Sequence, residues 1–169
     1  MERLLSDVID TWPWPFRYSA GRSFRHQSLK RAFPMLKTYV GGCHCGAIRI
    51  EVFVDISAGT GKCNCSICSK SRLWTVEAKP ESFRLIAGDA DLSDYRGNNP
   101  VAHHFFCKHC GVRPFQRVDM PNMSGAPYYN INIACLEGID VEELIEGPVV
   151  FYDGRNNNWG SSPAETRHL

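Results

Sequence analysis

Apolar side chains recur at Ile48, Ile50, Val52 and Val54, with Arg49, Glu51 and Phe53 between them. A period of two with one apolar exception predicts a β-strand that buries one face. Shorter runs predict a strand beginning at Thr38 and others over 73–78, 83–87, 102–106, 112–117, 129–134 and 149–152. Clusters of Gly, Pro, Asn and Asp separate these runs, as turns require. Only residues 141–146 read as a helical turn in this part of the chain. Many short strands with frequent turns predict a mainly β domain with short helical turns. The first residues differ. Leu4, Leu5, Val8 and Ile9 share one face of a helix over 2–11, and Pro13 and Pro15 end it. Residues 17–37 are weakly patterned and read as a surface arm.

A chain of 169 residues suits one domain, and 43% hydrophobic with 22% charged residues is ordinary globular composition. The formal net charge of +1 points to no polyelectrolyte partner overall. Its distribution is uneven: no Asp or Glu occurs over 11–50, while Arg17, Arg22, Arg25, Lys30, Arg31, Lys37 and Arg49 all do. That segment leaves nucleic acid as a secondary candidate partner. No run approaches the roughly 20 apolar residues that cross a bilayer, so no membrane partner is expected. The N-terminus lacks the order of a secretory signal, which makes the cytoplasm the expected location. In a reducing compartment, clustered cysteines serve as ligands more often than as disulfides.

Seven of the eight cysteines are clustered. The runs are Cys43-His44-Cys45-Gly46, Cys63-Asn64-Cys65-Ser66-Ile67-Cys68 and Cys107-Lys108-His109-Cys110-Gly111. A structural zinc takes four ligands in a closed tetrahedron, whereas a catalytic zinc keeps three and an open position. Two pairs plus one triplet match that division. The pairs Cys43, Cys45 and Cys107, Cys110 are candidate ligands of a structural zinc, and the glycine after each pair suits a tight turn around an ion. Cys63, Cys65 and Cys68, on one loop, are candidate ligands of an open, catalytic zinc. A closed site completed by a histidine, or a redox pair, are the alternatives for the triplet. The spacers His44 and His109 are expected to point away from the metal. His103 and His104 sit in a strand-like run, where alternation lets only one face inward. Cys135 reads as a core residue. Lys70 and Arg72 follow the triplet and either attract an anionic substrate or sit on a solvated loop.

These motifs resemble the glutathione-dependent formaldehyde-activating enzymes, grouped with the centromere-protein-V-like domain. The resemblance spans about 39–159. It rests on Gly41-Gly42-Cys43-His44-Cys45-Gly46, the Cys63–Cys68 run, His104-Phe105-Phe106-Cys107-Lys108-His109-Cys110-Gly111, the 131–140 segment and Asp153-Gly154-Arg155-Asn156. It implies the Mss4-like, zinc-ribbon-related β fold, a zinc domain over 38–159, an N-terminal extension over 1–37 and a tail over 160–169. It also implies two Zn²⁺ per chain, divided as above, and small-molecule partners: glutathione or another small thiol, and an aldehyde. The family's reaction condenses glutathione with formaldehyde to S-hydroxymethylglutathione, a carbon–sulfur lyase activity. The family ending runs Asp-Gly-Arg-Asn-Trp, whereas Asn157 and Asn158 precede Trp159 here, so a rearranged end is expected. Two readings stand beside the lyase: a zinc-stabilised binding module using the basic N-terminal segment, and a carrier of thiols or metal.

Overall fold

The alternation in the sequence becomes two β-sheets facing one another. The computed structural model describes residues 35–97, 99–120 and 127–169. The expected N-terminal helix and most of the basic arm lie outside them. The smaller sheet holds β1 (Lys37–Gly42), β2 (Arg49–Val54) and β5 (Phe83–Ala87), antiparallel in the order β1-β2-β5. The larger adds β3 (Thr60–Cys63), β4 (Trp74–Ala78), β6 (Leu92–Tyr95), β7 (Ala102–Cys107), β8 (Phe115–Val118), β9 (Tyr128–Asn132) and β10 (Val149–Tyr152). Its order is β10-β3-β4-β9-β8-β7-β6, antiparallel except where β10 lies parallel to β3. Two short helices, α1 (Ser66–Ser71) and α2 (Val141–Glu146), complete the mainly β fold. No helix among the described residues is long and apolar enough to cross a membrane.

The core lies between the sheets. Ile50 and Val52 of β2 are fully buried, as are Ile48, Ile56 and Ile131. Fully burying side chains of this size stabilises the fold by roughly 1.5–3 kcal/mol each, before entropy is counted. Phe83 of β5 stacks on Tyr129 of β9 with centroids 4.2 Å apart and reaches Phe115 of β8 at 4.7 Å, so aromatic rings join the sheets. The Gly41-Gly42 pair belongs to the same packing. A Cβ on Gly41 would sit 2.0 Å from the Cys135 carbonyl oxygen, and one on Gly42 2.0 Å from that of Ile48.

Several expected boundaries move for identifiable reasons. The strand expected over 112–117 begins only at Phe115, after Pro114, which has no N–H to give a ladder. The strand expected through 134 stops at Asn132, whose side chain accepts from Ala134 N–H and turns the chain into a single 3-10 turn, Ile133–Cys135. Cys135 is therefore half-buried in a turn, and desolvation pushes its thiol up to about 11. His103 and His104 are both buried, contrary to the one-sided expectation, because β7 is covered on both faces. His103 meets Asp94 at 2.7 Å and Asp119 at 3.1 Å; His104 meets Arg113. The two residues inserted before Trp159 are absorbed in a turn. Asn157 adopts φ +54°, Asn158 bridges to Asp153, and Trp159 Nε1 donates to Asn157 Oδ1.

Candidate metal centres

The first cluster joins two turns that are far apart in sequence. Cys43 and Cys45 sit in the β1–β2 turn; Cys107 ends β7 and Cys110 follows it. Gly46 and Gly111 take φ +78° and +72°, the left-handed backbone that the turns require. Cys43 Sγ lies 3.5 Å from Cys45 Sγ, and Cys45 Sγ 3.6 Å from Cys107 Sγ. All four sulfurs lie within 4.8 Å of one another. Four sulfurs about 2.3 Å from a zinc ion would stand about 3.8 Å apart, so this donor set fits one ion. Backbone N–H groups already point at the sulfurs: Ile48 donates to Cys43 at 3.2 Å and His109 to Cys107 at 3.4 Å. The Val112 and Cys45 N–H groups hold the Cys110 thiol down, to about 6. The spacer side chains His44 and His109 are exposed, and His109 Nε2 turns to Asp91 at 2.8 Å.

The second cluster is local in sequence but is not carried on a simple loop. Cys63 ends β3, Cys65 is the N-cap of α1, and Cys68 lies one turn into that helix. The missed helix is what turns three residues within six toward one point: their sulfurs lie within 4.8 Å of one another. Cys63 and Cys68 stabilise a thiolate on Cys65 and draw its pKa far down, while the same contacts push Cys68 up. Three sulfurs leave a tetrahedral ion one ligand short, and a small cleft lined by Lys62, Arg72, Leu73 and Leu169 lies beside Cys63 and Cys68.

Three further parts of the site carry no cysteine. The spacer Asn64 is buried, and its Nδ2 donates to Asp153 Oδ1 at 2.6 Å while its Oδ1 accepts from Arg155 N–H at 2.7 Å. Asn156 Nδ2 donates to the other oxygen of Asp153 at 2.8 Å. The Asp153-Gly154-Arg155-Asn156 motif is thus fastened to the triplet through the spacer. Gly154 fits there because a Cβ would stand 2.7 Å from Cys63 Sγ.

Arg113 is the third part. Its Nε and Nη2 are buried and make no hydrogen bond, and Nη1 lies 3.4 Å from His104 Nδ1. Burial lowers the guanidinium pKa; Cys68 and Cys65 oppose that shift. A guanidinium only donates, so His104 Nδ1 accepts and its proton sits on Nε2. Two orphaned donors beside thiols fit an anionic centre. Zinc with three thiolates carries a net −1 charge, and a thiolate in the fourth position makes it −2. The residues present therefore suit a metal held by the triplet.

Two groups of converging sulfurs on a mainly β frame define a protein class, a β domain whose cysteine clusters could hold metal ions. A family model described as glutathione-dependent formaldehyde-activating enzyme matches residues 38–148, and the chain belongs to that family. A crystal structure of a Rhodobacter sphaeroides protein is similar, at 31% identity with a TM-score of 0.55, covering 66% of this chain and 99% of that one. The family match includes all seven clustered cysteines and Arg113, while Asp153 and Gly154 lie beyond it.

Proposed function

We propose that the protein is a zinc-dependent carbon–sulfur lyase that joins a small thiol to an aldehyde, with glutathione and formaldehyde as the family's pair. The observation that carries this reading is the convergence of only three sulfurs, with the partly buried Arg113 guanidinium close enough to Cys68 and Cys65 for their charge to act on it. Cys63, Cys65 and Cys68 would hold the catalytic zinc; Cys43, Cys45, Cys107 and Cys110 would hold a structural one. A zinc ion held by Cys63, Cys65 and Cys68 would supply Lewis acidity that favours the thiolate form of a thiol at neutral pH.

The chain's own residues do the remaining work. In the overall reaction the carbon–sulfur bond forms, the carbonyl π bond breaks and the thiol proton ends on the product hydroxyl. A thiolate beside three others is poorly tolerated unless positive charge stands nearby. Arg113 provides that charge from a buried position, where Coulombic effects are stronger than in water. His104, held neutral by burial and by Arg113, adds no competing charge. Asn64 and Asp153 fix the β3–α1 junction, so the three sulfurs stay converged. The buried Leu73 and Cys68 keep one wall of the cleft apolar.

The test combines zinc stoichiometry with turnover. Two zinc ions per chain are expected, one of them lost on mild chelation. Cys65→Ser should keep the tightly held ion and slow thiol–formaldehyde condensation on the order of 100-fold or more. Full turnover by this variant at saturating thiol would overturn the reading, as would a single zinc with no second site.

A further inference from the structure

The cleft beside the triplet is partly filled by the protein's own tail. Lys62 Nζ donates to the Leu169 backbone oxygen at 2.9 Å, and the Arg72 guanidinium donates to the His168 carbonyl. Leu169 lines the cleft together with Cys63, Cys68 and Leu73. Neither cation is there by accident of a flexible loop. Lys62 directly precedes Cys63 on β3, and its ammonium lies 4.8 Å from the Trp74 ring centroid. Arg72 caps α1 in the left-handed conformation, φ +50°, with its N–H bonded back to Cys68 and Ser69. Both side chains are thus tied to the elements that carry the candidate ligands. Among the described residues, neither forms a salt bridge with a carboxylate side chain.

Leu169 is the last residue of the sequence, so the oxygen it gives Lys62 is that of a terminal carboxylate, whereas the neutral His168 carbonyl is a weak partner for the Arg72 charge. A carboxylate is the matching one: Arg binds it in a planar fork, Lys adds a point charge, and such charge-assisted bonds are about twice as strong as neutral ones. We infer that Lys62 and Arg72 form a carboxylate clamp for the thiol substrate, and that the His168–Leu169 segment occupies the clamp until substrate displaces it. The clamp selects thiols that carry an acid group a short distance from sulfur. The tail acts as a built-in competitor that shields the triplet when no such thiol is present. This inference rests on the reading of the triplet as the thiol-binding centre.

The test uses two thiols of nearly equal shape, 3-mercaptopropionate and its neutral amide, 3-mercaptopropionamide. Their binding to the zinc-loaded full chain is measured by calorimetry, and the ratio of the two affinities is the readout. The acid should bind about tenfold more tightly, the discrimination of one charge-assisted contact. The double variant Lys62→Gln, Arg72→Gln should bring the ratio close to that of the thiols' intrinsic zinc affinities while leaving amide binding unchanged. A chain ending at Ser162 should bind the acid several-fold more tightly still; that cut spares the Ser161 carbonyl, which accepts from Asp153 N–H. Lys62 and Arg72 line the cleft, as does Leu169 of the removed segment 163–169, and unaltered zinc content in each variant shows that the fold is kept. A ratio unchanged in the double variant would overturn the clamp, even with both thiols bound. Acid binding no tighter in the shortened chain would overturn the competitor role. Failure of either thiol to bind the metal-loaded protein would sink the triplet reading, and the clamp with it.

Discussion

The two cysteine clusters use the same donor atom and differ in nearly everything around it. The four-cysteine cluster joins the β1–β2 turn to the segment after β7, about sixty residues away, and its surroundings are backbone: glycine turns and N–H groups aimed at sulfur. The three-cysteine cluster spans six residues, and its surroundings are side chains with charge or hydrogen-bonding capacity: Arg113, Asn64 and Asp153, with Lys62 and Arg72 on the cleft. A closed set of four cysteines would cross-link the chain around a metal ion. An open set of three, beside unused cationic donors, is equipped to take another anion. Ligand count separates the sites first, and the second difference, in what lies behind the ligands, points the same way.

The sharpest way to break this comparison is to remove one sulfur from the closed cluster. Cys107 is fully buried and shared between β7 and the tight turn after it. Metal-binding energy at a structural zinc site is largely folding energy, about 10–16 kcal/mol in isolated zinc-finger peptides. The core of this domain supplies stability of its own, so only part of that is at stake. Cys107→Ser is nonetheless expected to lower Tm by about 10 °C or more, corresponding to several kcal/mol. Cys65→Ser should lower it far less while slowing condensation on the order of 100-fold or more. Equal losses of Tm in the two variants, by thermal melts followed with circular dichroism, would erase the distinction between a cross-link and an open centre.

The intermediate test concerns Arg113. Arg113→Gln removes the charge and is expected to weaken zinc in the triplet about ten- to a hundredfold, the usual effect of losing a group that supports the ligands. Arg113→Lys keeps the charge without the planar fork and should fall between. Competition with a chromophoric chelator reads both, with the tightly held zinc as internal reference. If Tm drops but chelator competition does not change, Arg113 is a packing residue and its orphaned donors have no part in the site.

How visible these differences were in the sequence depends on the range of the interaction. The β2 strand was legible because its alternation reflects one buried face. The sorting of cysteines into two groups was legible because ligands within each run are two or three residues apart. β3 was not, since Thr60-Gly61-Lys62-Cys63 has no apolar pattern and exists through pairing with β4 and β10. α1 was not legible because a six-residue helix, with Cys68 inside it and Cys65 as its cap, has no hydrophobic stripe. Arg113, Asn64 and Asp153 act across 45 to 91 positions, taking Arg113–Cys68 and Asn64–Arg155 as the limits, and local spacing says nothing about such contacts. The Asp153-Gly154-Arg155-Asn156 motif was visible as a motif, but its attachment to Asn64 emerges only in three dimensions.

The smallest expected effect lies with His104, which backs Arg113 and has no counterpart at the four-cysteine cluster. Burial first, and the Arg113 charge second, hold its pKa below the ordinary value near 6.5. As pH falls from about 6.5 toward the folded value, the unfolded chain takes up this proton and the folded chain does not. Stability from this group therefore declines over that window and levels off below it. Glutamine at 104 keeps an acceptor for Arg113 but does not titrate. Urea unfolding at pH 7.5 and at pH 5.5 should show His104→Gln losing less stability on acidification than the unaltered protein. Protonation of the cysteines destabilises both proteins alike and cancels in the difference. Equal losses in the two would mean that His104 is protonated as readily in the folded protein as in the unfolded chain, and the triplet would then have a second cation behind Arg113.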